Sequence, residues 1–118
     1  MKLRIEGNSL RLRVTQKEVA QLRHGGCVES FVELAPAGPL FYRLESSLDV
    51  TAVTASFDGH VVRVAVPAAA MTEWAESDQI GIEGRPQTGV QVLIEKDFQC
   101  LHRRREQDAD AYPHPLRS

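Results

Sequence analysis

Four cations near the start of the chain, Lys2, Arg4, Arg11 and Arg13, occupy alternating positions in two short runs. If both runs are strands of one hairpin, all four side chains leave the same face. A basic two-stranded ribbon fits the DNA major groove, where guanidinium groups pair with guanine edges and phosphate neutralisation drives affinity. The same pattern describes a solvated outer sheet face whose cations pair with Glu6 and with acids from the middle of the chain. A second group, His24 with Cys27 and Cys100 with His102, has the ligand types of tetrahedral zinc. Its spacing is tighter than structural zinc sites use, so the expectation is a small cysteine on a strand beside exposed histidines, with no metal and no other cofactor. No nucleophile stands next to a visible base and no glycine-rich phosphate loop is present, so no catalytic residue is assigned and a non-enzymatic protein is expected.

The elements that must position these residues are legible in the hydrophobic pattern. Leu3 and Ile5, then Leu10, Leu12 and Val14, alternate with charges across a Glu-Gly-Asn-Ser stretch, which predicts a hairpin. With Glu6-Gly7 as its loop, Ile5 faces Asn8 and Leu3 faces Leu10. Thr15 and Glu18 have the spacing of a capping box, and Val19 and Leu22 form the apolar stripe of a short helix ended by Gly25-Gly26. Strands follow over 27–34 and 40–45, joined by a proline and glycine turn. The second half runs in the same order: a strand over 50–57, the Asp58-Gly59 turn, a strand through Val62, Val64 and Val66, and Pro67 at a helix start. Met71 and Trp74 mark the apolar face of that helix, before strands over 80–83 and 90–96.

An offset of 52 residues superposes the halves, matching Gly7 with Gly59, Arg11 with Arg63, Leu22 with Trp74 and Val28 with Ile80. The pattern predicts one domain over 1–96, built from pseudo-repeats 1–46 and 50–96 that share a core, because a unit of about 46 residues buries too little surface to stand alone. At 118 residues, with 42% hydrophobic and 25% charged residues, the chain has the size and proportions of one globular domain. Its net charge of −2 conceals an asymmetry: residues 1–26 carry +4, residues 27–99 carry −7 and residues 100–118 carry +1. A basic front invites an anionic partner, or pairs internally with the acidic middle.

The stretch Gly7-Asn8-Ser9-Leu10-Arg11-Leu12-Arg13-Val14-Thr15, followed by a short helix and an acid-rich strand pair, resembles the opening of MazE-type antitoxins. The second half resembles the related AbrB/SpoVT pattern in Gly59-His60-Val61-Val62-Arg63-Val64-Ala65-Val66-Pro67, the helix through Trp74, Ser77-Asp78-Gln79-Ile80-Gly81-Ile82 and Val92-Leu93-Ile94-Glu95-Lys96. The whole chain is also similar to a family of small bacterial proteins of unknown function that open in this way. The AbrB/MazE resemblance implies an α+β, β-rich fold in which duplicated ββαββ units form one swapped-hairpin, cradle-loop type β-barrel with two short helices. It also implies DNA binding through the first hairpin, with Arg4 and Arg13 at the family's basic positions and Asn8 and Ser9 matching its motif. The chain departs from the pattern at Thr15, where the family has proline, and at Ser56 and Ala65, which stand where the first half has Arg4 and Arg13. One chain therefore supplies one reading surface, and a palindromic operator would require dimerisation or an asymmetric site.

Residues 97–118 are expected to form a partly disordered tail. MazE-type antitoxins grip a toxin with such a segment, which makes Phe98, Leu101 and Tyr112 partner-binding candidates; the alternative is an unstructured end or a strap over the barrel. The nucleic-acid-binding candidates are Lys2, Arg4, Asn8, Ser9, Arg11 and Arg13. With neither a signal sequence nor a membrane-length apolar run, a cytoplasmic bacterial protein with no membrane partner is expected. Its function is read as an AbrB/MazE-like DNA-binding regulator or antitoxin-like protein, or alternatively as a protein-interaction or scaffold domain with the same barrel and no DNA binding. The sequence sets neither the oligomeric state nor the identity of a DNA or protein partner.

Overall fold

The computed structural model describes residues 1–86 and 89–98. The first hairpin consists of β1 (Lys2–Glu6) and β2 (Ser9–Val14), and α1 (Gln16–Arg23) follows. A second hairpin, β3 (Cys27–Leu34) and β4 (Gly38–Ser47), completes the first half. The second half contains β5 (Thr54–Phe57), β6 (Val61–Pro67), α2 (Ala68–Ala75), β7 (Gly81–Gly84) and β8 (Gln91–Lys96). The fold is α+β and rich in strands, with two four-stranded sheets ordered β1-β2-β8-β7 and β3-β4-β6-β5.

Each sheet combines hairpins from opposite halves of the chain. Antiparallel pairs are made within hairpins, whereas β2 pairs with β8, and β4 with β6, in parallel. Parallel neighbours cannot be joined by a tight turn, so a long connection must intervene. Between β2 and β8 it holds both helices and the intervening strands, and between β4 and β6 it is residues 48–60, which include β5. Apolar residues from both sheets and both helices meet in one cluster, including Leu12, Val14, Leu22, Leu44, Val64 and Trp74. Trp74 is fully buried, and its Nε1 donates to the Ile80 carbonyl at 3.0 Å, so the indole packs without an unpaired donor.

Local chemistry explains the element ends. The Thr15 side chain accepts from the Glu18 amide at 3.3 Å, while Glu18 Oε1 accepts from the Thr15 amide at 2.9 Å, which is the expected capping box. Burial pushes the Glu18 carboxyl up, but hydrogen bonds from the α-amino group and from Thr15 outweigh this and hold it below the usual carboxylate range. At the turn between β5 and β6, Asp58 Oδ1 accepts from the Val61 and His60 amides, at 3.1 and 3.3 Å. The helices pack on each other, and Arg23 of α1 pairs with Glu76 at 3.1 Å.

Several boundaries and registers differ from the sequence reading. The loop of the first hairpin is Gly7-Asn8, so Ile5 faces Leu10 and Leu3 faces Leu12, a shift of two residues. Gly7 has φ +56, a conformation that glycine adopts without strain, and the closing pair becomes Glu6 and Ser9. The shift preserves parity, so the apolar and basic faces remain as expected. Strand β5 starts at Thr54 instead of Val50, because Val53 turns inward against Gly84. A Cβ on Gly84 would lie 2.5 Å from the Val53 Cβ, a contact that only glycine permits. In the last hairpin, Ile82 has the pairing and burial that Val28 has in the first half, while Ile80 is exposed; the gap-free match of Val28 with Ile80 is therefore displaced by two residues.

Substitutions at three positions probe these features. Thr15→Ala is expected to lower the unfolding free energy by about 1 kcal/mol, with Thr15→Ser retaining most of it, in urea titrations followed by Trp74 fluorescence. Because the folded carboxyl of Glu18 titrates below its ordinary value, its contribution is present above the ordinary carboxylate pKa and is lost as pH falls through the lower folded value. The wild-type advantage over Glu18→Gln should therefore shrink in acid and hold at neutral pH. Gly84→Ala is expected to destabilise by about 1–3 kcal/mol, as overpacking does.

Candidate nucleic-acid interface

The register of β1 and β2 places Lys2 opposite Arg13 and Arg4 opposite Arg11, so the four cations share the outer face of the first sheet. Their side chains are 41–75% exposed. Parallel pairing of β2 with β8 brings acids onto the same face. Glu95 lies 3.5 Å from both Arg11 and Arg13. Asp97 reaches Lys2 at 3.5 Å and Arg13 at 4.0 Å, and Arg4 pairs with Glu6 at 3.2 Å. The register also carries Glu83 of β7 across from Leu93, which lies beside Arg11. Three carboxylates, Glu6, Glu95 and Asp97, thus answer the four cations across one sheet, while Glu83 and Arg85 sit beside Arg11 on the same face. Each exposed pair contributes only about 0–1 kcal/mol to stability, but each also lowers the local potential that would attract phosphate.

The other candidate residues of this hairpin serve its turn. Ser9 Oγ donates to the Glu6 carbonyl at 2.6 Å, and the Asn8 carbonyl accepts from the Gln91 amide at 3.0 Å. The Asn8 side chain is exposed. On the second sheet, Arg63 lies 3.6 Å from Glu45, which also accepts from Arg43 Nε at 2.7 Å, and Arg43 reaches Glu29 at 3.5 Å. Ser56 pairs with Arg63 in the register, as Arg4 does with Arg11. The second face has fewer cations, all of them answered by carboxylates.

His24 is exposed beyond α1, and Cys27 is half-buried at the start of β3. Cys100, His102, Leu101 and Tyr112 lie outside the described residues. Among the described residues, no group of three or more His, Cys, Asp or Glu side chains could hold a metal ion. Phe98 is 59% exposed and borders a groove of about 390 Å³ with Val14, Val19, Ala20 and Ala75. No helix among the described residues is long and apolar enough to cross a membrane.

Two features escaped sequence reasoning. One is the identity of the acids that answer the arginines, which depends on a parallel pairing between residues more than 80 apart. The other is an apolar projection. The β3-β4 ladder continues past Phe41, the last residue of β4 paired with β6, through Val32 with Leu40 and on to Leu34 with Gly38. Phe31, Val32 and Leu34 are 55%, 44% and 50% exposed there, and Phe31 and Phe41 have ring centroids 5.7 Å apart. The density of apolar residues in Phe31-Val32-Glu33-Leu34 and Leu40-Phe41 was the available signal.

Glu95→Gln removes the carboxylate shared by Arg11 and Arg13, so this variant is expected to elute from heparin at higher salt than the wild type. Identical elution would show that the pairing does not govern the potential of this face.

Searches of curated proteins and of solved structures give no match. A family model does match, and it extends over residues 1–116, nearly the whole chain. On that match the chain belongs to DUF7009, a family of unknown function.

Proposed function

We propose that this chain is a non-enzymatic protein-interaction module whose docking surface is the projecting β3-β4 hairpin. The observation that carries the reading is the exposure of Phe31, opposite the last residue of β4 that β6 covers, and of Val32 and Leu34 beyond it. By strand alternation Phe31 lies on one face of the projection and Val32 and Leu34 on the other, so its tip is apolar on both sides, and clustered apolar exposure marks interaction sites more often than scattered single residues do. The pairing of the first sheet's cations fits the same reading, because cations already within reach of carboxylates offer phosphate less attraction.

The arrangement of hairpins supports a swapped-hairpin architecture built from two repeats. The first hairpin of each half lies beside the second hairpin of the other, and α1 and α2 occupy equivalent places between them. Arg11 with Glu95 and Arg63 with Glu45 form matching ion pairs in the two sheets. The two sheets do not close into the expected barrel among the described residues, and in this reading the two-sheet domain is an AbrB/MazE-like scaffold that serves a protein partner.

The second reading, an AbrB/MazE-like DNA-binding regulator or antitoxin-like protein, is favoured by the exposure of the four cations on one ribbon. Salt-dependent binding separates the two. The interaction-module reading expects no retention on random duplex DNA at low salt. It also expects that a complex formed with a protein partner is lost in a Phe31→Ser, Leu34→Ser variant and kept when Arg4, Arg11 and Arg13 become alanine. Retention on duplex DNA that disappears in the triple alanine variant would overturn it in favour of the DNA reading.

A further inference from the structure

A sheet edge is a row of unpaired backbone donors and acceptors, and folded proteins normally blunt it with brevity, lysine, proline or bulges. Among the described residues the four edges are β1, β7, β3 and β5. β1 carries Lys2 and Arg4, and β5 and β7 are four residues long. β3 is eight residues long, with sequence Cys-Val-Glu-Ser-Phe-Val-Glu-Leu, and has neither lysine nor proline. It is the least protected edge, and it borders the apolar projection.

Backbone geometry determines which residues of β3 are available. The Gly26 carbonyl accepts from the Ser46 amide, while the Phe41 amide donates across to His60. Even-numbered residues of β4 therefore bond toward β3, and by the alternation of antiparallel ladders so do the even-numbered residues of β3. Cys27, Glu29, Phe31 and Glu33 turn their N–H and C=O groups to the free edge.

We propose that a second copy of this chain docks edge to edge along β3, antiparallel, about a twofold axis at Ser30. This deepens the interaction-module reading and rests on it. The register is selected by charge. An axis at Phe31 would set Glu29 opposite Glu33 of the partner subunit twice, and an axis at Glu29 would set that residue opposite its own copy; like charges facing across a ladder are unfavourable. An axis at Val32 leaves a shorter ladder. With the axis at Ser30, Glu29 faces Phe31 of the other copy, Val28 faces Val32 and Cys27 faces Glu33. Glu29 keeps its Arg43 counter-ion at 3.5 Å. The two Phe31 side chains become diagonal neighbours, about 7–8 Å apart in such ladders and within aromatic reach. Each already contacts its own Phe41, so the rings of both copies join into one cluster across the joint.

The test is the mass of the full chain in solution, measured by light scattering over a range of concentrations, with Ser30 at the axis as the probe. Wild type is expected to move from the mass of one chain to that of two as concentration rises. Ser30→Lys and Ser30→Asp, each folded by the Trp74 fluorescence criterion, are expected to stay monomeric alone and to form a dimer when mixed in equal amounts, because the axis then joins opposite charges. A wild type that remains monomeric, or a dimer equally strong in both charged variants, would overturn the β3 pairing. If the chain then still forms a complex with another protein that is lost in the Phe31→Ser, Leu34→Ser variant, the interaction-module reading stands without self-pairing. If no such complex forms, that reading falls as well.

Discussion

The parallel pairing of β2 with β8 and of β4 with β6 is the constraint on which the rest of the molecule depends. Each hairpin has a half-apolar face that is useless alone, and an isolated two-stranded ribbon is marginal in water. Leu12 and Val14 of the first hairpin, and Ile94 of the last, become fully buried only where the exchanged hairpins and both helices converge. Gly84 belongs to the same requirement, because β7 must approach Val53 more closely than any side chain there would allow. The two halves are thus not neighbouring units with a seam between them. Each sheet contains material from both, and the core is common.

The same pairing sets the electrostatics. A chain with a basic front and an acidic middle could present its cations outward to an anion, but β8 arrives beside β2 carrying Glu95, and Asp97 follows it. Two acids of that middle, Glu95 and Asp97, thus answer Lys2, Arg11 and Arg13 within the first sheet. Glu45 stands in the corresponding relation to Arg63 and Arg43 in the second. Of the exposed large hydrophobics, Phe31, Val32 and Leu34 lie on β3-β4, the hairpin that outgrows its counterpart β7-β8. That difference in length separates the two halves functionally, since the shorter hairpin has no comparable projection among the described residues.

Much of the local structure was legible in the residues because short-range chemistry dictates it. Thr15 and Glu18 cap α1 reciprocally, Asp58 organises its turn, and period-2 alternation identified every strand that faces the core. Register was less legible. A two-residue slip in the first hairpin leaves every side chain on its proper face, so the hydrophobic pattern cannot distinguish Leu3 opposite Leu10 from Leu3 opposite Leu12. The same degeneracy misplaced Ile80, which the pattern equated with Val28 although Ile82 is the buried residue. The partners of the arginines were hidden for a different reason. Glu95 reaches Arg13 only through a contact between opposite ends of the chain, which no local rule encodes. The basic ribbon was therefore placed correctly and its internal pairing stood as an alternative, but Glu95 and Asp97 could not be named as the partners.

If the exchanged hairpins share one core, neither sheet can open without exposing the other. Native-state amide hydrogen exchange measures this directly, since residues that open only in global unfolding report the same free energy. The core amides of β2 and β8 and those of β4 and β6 are expected to exchange with one common opening free energy, equal to that of unfolding followed through Trp74. Exchange of one parallel ladder at a markedly lower free energy, while the other stays protected to the global value, would contradict the shared core.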